Sequence, residues 1–311
     1  MRLRPFYSLV FAAVLAGPLV AQPVWLDMDQ QALDDAYNQS VWAGNLEQVI
    51  ARFDSNSDRA RAALGAPKRF TYGQEPDEGI DVYRTSADNA PIHIFIHGGA
   101  WFLGRAHGNA HAAEAFVDAG VHFVVPDFSS VKDLGGNLGG MVAQLRAAVA
   151  WVYKNAATEF GGDPNRIFLS GFSSGGHLAS VLATTDWPAF EKGLPSQMFQ
   201  GAVLCSGMYD LYPVSLSARR EYVNFTDQII EDYSALRQLH YLNCPIVLAY
   251  GGLESPEFKR QSEVFYEALT KAEVPVELIV AEQYNHFEVI ETLGNPFGHL
   301  GKAALAQIFG K

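Results

Sequence analysis

A short stretch between an apolar run and a small-residue helix start constrains this chain more than any other feature. The run 167–169 is typical of a buried strand, and the pattern G-x-S-x-G follows as Gly171-Phe172-Ser173-Ser174-Gly175. A serine on such a sharp strand-to-helix turn has a crowded, strained backbone, which flanking glycines relieve. The helix that begins at Ser174 presents free N–H groups and the positive end of its dipole. Ser173 is therefore the candidate nucleophile.

Strands and helices alternate through most of the chain. The apolar, strand-like runs are residues 70–72, 79–83, 91–96, 122–125, 167–169, 201–205, 246–250 and 276–280. Apolar residues at helical spacing separate several of these runs, most clearly over residues 141–155. The alternation predicts an α/β fold with a mostly parallel, twisted sheet of about eight strands and helices on both faces.

The chain contains no linker rich in proline, serine or charge, so we predict one domain over residues 22–311. Within it, residues 22–69 are polar-rich with helical spacing, which predicts an N-terminal helical layer near the site. Residues 211–243 form a longer connection than is usual between elements. Such a connection predicts helical turns that lie over the site as a lid.

The first 21 residues predict a removable secretory signal. Arg2 and Arg4 give a basic start, and the apolar run 9–20 is too short to span a bilayer. We therefore expect an exported protein, periplasmic or secreted, with an uncleaved anchor as the alternative. The net charge of −12 argues against nucleic acid and anionic membranes as partners. The oligomeric state is left open between a monomer and a homodimer.

Two cysteines, Cys205 and Cys244, lie in or beside apolar strand-like runs. Buried free thiols are the expected state, because cysteines on neighbouring parallel strands rarely have the geometry of a disulfide. A bridge between them is the alternative.

A nucleophilic serine needs a base, and the base needs an orienting carboxylate. In hydrolases with this strand-turn-helix motif the chain order is serine, acid, histidine. The loop after the strand 246–250 supplies Glu254, and the loop after the strand 276–280 supplies His286. We predict Glu254 as the acid and His286 as the base, with Glu257 and Asp210 as alternative acids.

The oxyanion hole is predicted in the loop His97-Gly98-Gly99-Ala100-Trp101, directly after the strand 91–96. Paired glycines let a backbone approach a substrate closely. The expected donors are the amides of Gly99 and Ala100 together with that of Ser174. His97 is expected to brace the loop.

Two features resemble ligand sites only superficially. His107 and His111 stand four residues apart, but no third ligand accompanies them. The run 135–140 is rich in glycine but lacks the spacing and the lysine of a phosphate-binding loop. We therefore predict no metal and no cofactor. His93, inside a strand, and His177, on the helix after the nucleophile, are expected to be structural.

Aromatic and sulfur-containing side chains near these loops predict a pocket for a small aryl or acyl group. They are Trp101, Phe102, Phe172, Met208, Tyr209 and Tyr284. Core packing is the alternative for each of them.

These motifs together resemble the serine hydrolases of the α/β-hydrolase fold, and among them the kynurenine formamidase (arylformamidase) type and its esterase relatives. The resemblance covers roughly residues 70 to 295 through four separated motifs. It rests on the H-G-G-x-W loop, the nucleophile motif, the acid loop 254–262 and the histidine loop 285–291. Two departures stand out: Glu254 replaces the usual Asp, and the export signal is unusual for an enzyme of tryptophan breakdown.

The resemblance implies hydrolysis of a small carboxylic ester or aryl formamide through an acyl-enzyme intermediate. An amidase or lactonase for an environmental compound is the first alternative, and it differs mainly in pocket shape. A catalytically silent binding protein of the same fold is the second. The presence of Ser173, Glu254 and His286 together favours an enzyme.

Overall fold

An eight-stranded sheet runs through the structure, a computed structural model that describes residues 22–310. The strands are β1 (Lys68–Thr71), β2 (Gly79–Tyr83), β3 (Ala90–Ile96), β4 (His122–Pro126), β5 (Gly162–Phe172), β6 (Gly201–Cys205), β7 (Ile246–Gly251) and β8 (Val276–Ala281). Their order is β1-β2-β4-β3-β5-β6-β7-β8. The pairs β1–β2 and β2–β4 are antiparallel, and all later pairs are parallel. The predicted fold class is confirmed.

Helices follow most of the parallel strands and connect each strand to the next. They are α1 (Gln30–Ala36), α2 (Leu46–Leu64), α3 (Ala113–Asp118), α4 (Leu138–Glu159), α5 (Ser174–Ala183), α6 (Trp187–Phe190), α7 (Leu211–Leu216), α8 (Asp227–Tyr233), α9 (Pro256–Lys271), α10 (His286–Val289) and α11 (His299–Phe309). Short 3₁₀ helices lie at Gln39–Trp42, Ala106–Asn109, Ala218–Glu221, Ala235–Arg237, Leu239–Tyr241 and Ile290–Gly294.

The inner strands of the sheet are buried on both faces, which is why they read as continuous apolar runs, whereas the edge strands β1 and β8 are partly exposed. Successive side chains of β3 alternate between two cores: Ile92, Ile94 and Ile96 belong to one, and Phe95 belongs to the other. Residues of α4, α5 and α9 complete the first core, and residues of α2, α3 and α11 complete the second. Burial of each isoleucine or phenylalanine side chain stabilises the folded state by about 1.5–3 kcal/mol. This two-sided burial fixes where the strands end and thus where their loops meet.

The N-terminal helical layer is built from α1, the turn Gln39–Trp42 and α2. Its side chains contact the loops that carry the candidate acid and base. Gln39 donates from Nε2 to Ser255 Oγ over 2.7 Å, and Asn45 donates from Nδ2 to Glu288 Oε1 over 2.7 Å. The layer therefore lies at the carboxyl-terminal edge of the sheet, next to the site.

Residues 211–243 contain α7, α8 and three short 3₁₀ helices. This segment packs against the oxyanion loop, since the Tyr222 ring lies edge-on to Phe102 with 5.0 Å between centroids. The Leu236 amide donates to the Tyr209 carbonyl over 3.0 Å. The segment thus packs beside the oxyanion loop, and its role as a lid over the site stays a prediction.

The remaining sequence expectations concern the cysteines and the first 21 residues. Cys205 and Cys244 are both buried and unbridged, as expected. The predicted secretory signal lies outside the described residues. Across residues 22–310, no helix is long and apolar enough to cross a membrane.

Candidate active site

The turn between β5 and α5 places Ser173 in a rare backbone conformation. Its φ is 57° and its ψ is −124°, which is unfavourable for a residue that has a Cβ. Two hydrogen bonds hold the turn: the Ser173 amide donates to the Cys205 carbonyl over 2.9 Å, and the His177 amide donates to the Ser173 carbonyl over 3.0 Å.

The glycines of the motif are required by close backbone packing. A Cβ on Gly171 would collide with the Gly175 carbonyl, and a Cβ on Gly175 would collide with the carbonyls of Ile96 and His97. The second contact brings β3 and its loop directly against the turn. The glycines therefore set the distance between the serine and the oxyanion loop.

Ser173, His286 and Glu254 form a continuous hydrogen-bonded row. The distance from Ser173 Oγ to His286 Nε2 is 2.9 Å, and that from His286 Nδ1 to Glu254 Oε2 is also 2.9 Å. All three side chains are buried: the serine is 7% exposed, the histidine 2% and the glutamate 1%. The structure thus brings together the three residues that the sequence predicts as nucleophile, base and acid.

The hydrogen-bond partners fix the tautomer of His286. A carboxylate only accepts hydrogen bonds, so Nδ1 carries the proton toward Glu254. Nε2 is then unprotonated and accepts the hydrogen bond from the Ser173 hydroxyl. The ring is held from both sides by Phe172 and Phe258, each with its centroid 4.8 Å away. This arrangement suits a base that takes the serine proton.

Glu254 has a polar partner, Ser206, which no motif in the sequence indicates. Its hydroxyl donates to Glu254 Oε1 over 2.6 Å, and the Gly251 amide donates to the same oxygen over 2.7 Å. Ser206 follows β6 directly and has a φ of 52°. Because β6 lies beside β7 in the sheet, the two strand ends meet here. The contact can therefore be recognised only once the order of the strands in the sheet is known.

The loop of Glu254 is joined to the loop of His286 through the backbone. The Leu253 amide donates to the Tyr284 carbonyl over 3.1 Å. A Cβ on Gly251 would collide with that same carbonyl. The longer side chain of Glu254, compared with the usual Asp of the resembling enzymes, spans the distance to His286 Nδ1 from this position.

The two alternative acids have other partners. Glu257 lies in the first turn of α9 and accepts hydrogen bonds from Arg260, Tyr37 and Trp25. Asp210 caps α7 by accepting from the Tyr212 amide over 3.1 Å, and it also pairs with Arg237. Neither carboxylate contacts His286.

A capping box stabilises the backbone at His286. The Asn285 side chain accepts from the Glu288 amide over 3.1 Å, and the Glu288 side chain accepts from the Asn285 amide over 3.0 Å. Asn45, at the start of α2, contacts both side chains. The sequence signals the local box through its Asn-x-x-Glu spacing, but it gives no sign of the distant Asn45.

The oxyanion loop has positive φ at three consecutive residues, of which Ala100 and Trp101 carry a Cβ and are strained. The φ angles are 121° at Gly99, 53° at Ala100 and 68° at Trp101. The Trp101 amide donates to Ser174 Oγ over 3.2 Å. The amides of Gly99 and Ala100 donate to no backbone carbonyl of residues 22–310. These two amides are thus available to a developing negative charge beside Ser173.

His97 contacts the oxyanion loop that follows it. Nδ1 donates to the Gly98 carbonyl over 2.9 Å, and the ring stacks on Phe128 with 4.5 Å between centroids. Burial lowers the pKa of His97, so the neutral form is favoured. These contacts are the ones expected of a side chain that stabilises the loop.

His93 lies in the core, where its Nε2 is 2.7 Å from Ser170 Oγ, and burial lowers its pKa to about 3. His111 is also buried, with a pKa lowered to about 4 by desolvation, whereas His107 is exposed. Across residues 22–310, no group of three or more histidines, cysteines and carboxylates lies close enough together to hold a metal.

The residues predicted to line a pocket separate into two groups. Trp101, Phe102 and Phe172 lie on the site loops, and Phe172 packs on His286. Tyr209 is instead a core residue: it stacks on Phe265 at 4.4 Å, and its hydroxyl donates to the Leu204 carbonyl. These contacts match core packing, the alternative for Tyr209, because proximity along the chain to a strand end does not decide which way a side chain points.

Met208 and Tyr284 complete the predicted lining. Met208 is fully buried in the core that contains α4 and α5. Its apolar neighbours match core packing, the alternative for this residue, and a role in lining the pocket stays a prediction. Tyr284 is half-buried and lies edge-on to His299 at 5.7 Å, one residue before the capping box.

A cavity of about 250 Å³ lies beside the oxyanion loop. Its lining includes Trp101, Phe102, Phe128 and Lys132. The Lys132 ammonium lies 3.6 Å from the centroid of Phe102. Ser173 and His286 do not line this cavity, so it neighbours the site without including the serine.

The sheet order, the strained serine turn and the histidine beyond the last strand define an α/β-hydrolase. Similarity to known proteins agrees with this class. The BD-FAE family model matches residues 80–221. The fold resembles the solved structure of esterase LipW from Mycobacterium marinum, with a TM-score of 0.69 and 18% identity; the match covers 87% of this chain and 91% of that one. It also resembles esterase B from Lactobacillus rhamnosis, with a TM-score of 0.66 and 18% identity; this match covers 88% of this chain and 95% of that one.

Sequence similarity extends over nearly the whole chain. The kynurenine formamidase of Danio rerio is 30% identical over 297 residues, which cover 91% of this chain and 98% of that protein. Esterase LipC of Mycobacterium tuberculosis is 28% identical over 52% of this chain and 42% of its own length. The chain belongs to the kynurenine formamidase family, and it is a hydrolase.

Proposed function

We propose that the protein is a serine hydrolase that cleaves a small carboxylic ester or an aryl formamide through an acyl-enzyme intermediate. The observation that carries this proposal is the unbroken row from Ser173 Oγ through His286 to Glu254, with both hydrogen bonds at 2.9 Å. The similarity to both formamidases and esterases supports the two substrate classes.

In the acylation step, His286 Nε2 takes the proton of Ser173 as Oγ attacks the carbonyl carbon. Negative charge develops on the carbonyl oxygen, which the amides of Gly99, Ala100 and Ser174 stabilise. Glu254 stabilises the imidazolium that forms. His286 then protonates the leaving alcohol or amine, and the acyl group stays on Ser173.

In the deacylation step, His286 takes a proton from water as the water oxygen attacks the acyl carbon. The bond to Ser173 Oγ breaks, His286 returns the proton to Oγ, and the carboxylic acid leaves. For a formamide substrate, the products are an amine from the first step and formate from the second. Every proton transfer passes through the same histidine nitrogen.

Replacement of Ser173 tests the proposal. We expect Ser173→Ala to lower kcat on p-nitrophenyl acetate by about 10⁴-fold or more, because no other group supplies the attacking oxygen. The matched control is Ser170→Ala, three residues earlier on β5, where the hydroxyl is hydrogen-bonded to His93. Full turnover in a folded Ser173→Ala protein would contradict the proposal.

The substrate class is decided by comparing kcat/KM for short-chain esters, N-formylkynurenine and aryl amides on the same preparation. The proposal expects turnover of esters or of the formamide and little turnover of the larger amides. Export through residues 1–21 and the absence of nucleic-acid and membrane partners remain predictions from the sequence.

A further inference from the structure

The oxyanion loop is held in place by its tryptophan. Ala100 and Trp101 both have positive φ although both carry a Cβ, which costs conformational free energy at each residue. Such backbone persists only where the surrounding contacts determine it. The contacts of Trp101 therefore decide the position of the neighbouring Gly99 and Ala100 amides.

Trp101 is anchored by its backbone and by its ring. Its carbonyl accepts from the Val131 amide over 2.8 Å, and its amide donates to Ser174 Oγ. The indole Nε1 donates to His177 Nδ1 over 3.1 Å, with the two rings edge-on and 5.3 Å between centroids. The side chain is 2% exposed, so water does not compete for the indole proton.

The partners of His177 define its protonation. An indole nitrogen only donates, so His177 Nδ1 is the acceptor and Nε2 carries the proton. Nε2 donates to the Tyr233 carbonyl, at the end of α8, over 2.9 Å. Burial lowers the pKa of this histidine to about 4, which keeps the ring neutral near pH 7. One ring thus joins the oxyanion loop, α5 and the segment 211–243.

We propose that His177 is a positioning residue that fixes the oxyanion loop through the indole of Trp101. The inference rests on the proposed function, because it assigns His177 an effect on the amides that stabilise the reacting oxygen. Without the acceptor at Nδ1, the indole proton lies unpaired in the core and the strained loop loses a restraint. The amides of Gly99 and Ala100 then shift relative to Ser173.

The test compares His177→Leu with Trp101→Phe, which removes the indole N–H together with part of the ring volume and keeps a six-membered aromatic ring. For each variant, kcat and KM are measured on p-nitrophenyl acetate, together with the dissociation constant of phenylboronic acid, whose adduct with a serine is tetrahedral. We expect kcat to fall by about tenfold to a hundredfold, since small misplacements of catalytic groups have effects of this size. KM should change by less than about threefold, because the interaction acts in the transition state.

Three further variants separate positioning from general stability. His122→Leu is the matched control. His122 is also fully buried, but it begins β4 and so lies at the amino-terminal ends of the strands, away from the site. It should leave kcat within about threefold of the wild type. His177→Asn offers an amide oxygen to the indole and should recover part of kcat. The double variant His177→Leu/Trp101→Phe should be no slower than the slower single variant, because both remove one interaction.

The affinity for phenylboronic acid should fall by the same factor as kcat/KM in both single variants. An unchanged kcat in folded His177→Leu and Trp101→Phe proteins, or an effect on KM alone, would overturn the inference. If the wild-type enzyme does not bind the boronic acid and Ser173→Ala retains activity, the proposed function itself fails. The two failures are thus distinguished in one set of measurements.

Discussion

Two glutamates three residues apart are buried almost equally, yet their surroundings give them different roles. Glu254, 1% exposed, lies on the loop after β7 and faces His286. Glu257, fully buried, lies in the first turn of α9 and faces the Arg260 guanidinium, which donates to it over 2.6 and 2.8 Å. Burial therefore does not distinguish a catalytic carboxylate from a structural one, whereas the identity of the partner does.

The difference lies in what each partner can do with a proton. Arginine stays protonated under all ordinary conditions, so the pair of Glu257 and Arg260 is permanent and serves to hold α9 to Tyr37 and Trp25. Histidine changes its charge near neutral pH, so a carboxylate beside it can stabilise a transient imidazolium. This comparison predicts that the same substitution lowers kcat at Glu254 and lowers stability at Glu257.

The largest effect is expected at Glu254. Glu254→Gln keeps the size of the side chain but removes the charge that stabilises protonated His286, so kcat should fall by about 10³–10⁴-fold. Steady-state kinetics on p-nitrophenyl acetate measure the change. The far-ultraviolet circular dichroism spectrum should stay that of the wild type. A kcat within tenfold of the wild type would show that Glu254 is not the acid that stabilises protonated His286.

At Glu257 the effect is expected on stability. Glu257→Gln leaves Arg260 without its carboxylate and weakens the hydrogen bonds from Tyr37 and Trp25. We expect the free energy of unfolding to decrease by about 2–4 kcal/mol, while kcat of the folded protein changes by less than about threefold. Urea titration followed by fluorescence gives the first quantity. A large loss of kcat at unchanged stability would mean that Glu257, and not only Glu254, takes part in catalysis.

The smallest effect is expected at Ser206, which contacts Glu254 but no reacting group. Ser206→Ala removes one of three donors to the carboxylate, and we expect kcat to fall by about tenfold, the cost of one hydrogen bond to a charged group. Ser262→Ala, another buried serine, whose hydroxyl donates to the Phe258 carbonyl in α9, is the control. Equal losses of kcat in both variants would mean that Ser206 acts through stability alone.

The sequence predicts the parts of the fold and site that depend on local pattern. The inner strands appear as apolar runs because both of their faces are buried, and the serine turn appears because only glycine fits beside it. The loops of Glu254 and His286 are found because each directly follows a strand. These features need no knowledge of which strands are neighbours.

The parts that escaped prediction depend on contacts between distant segments. Ser206 reaches Glu254 only because β6 lies beside β7, and Asn45 reaches the histidine loop from the N-terminal layer. Tyr209 and Met208 follow a strand end as the site residues do, but their side chains enter the core. Strand order and side-chain direction are set by the packing of the whole sheet, which no single motif encodes.

The central claim, that the Ser173 hydroxyl is the nucleophile, is tested most directly by covalent labelling. The protein is incubated with an alkyl phosphonate p-nitrophenyl ester, and its intact mass and peptide masses are measured. We expect one adduct per chain, on Ser173, with activity lost in proportion to labelling and no adduct on the Ser173→Ala variant. An adduct on another residue that abolishes activity, or full activity after stoichiometric labelling of Ser173, would contradict it.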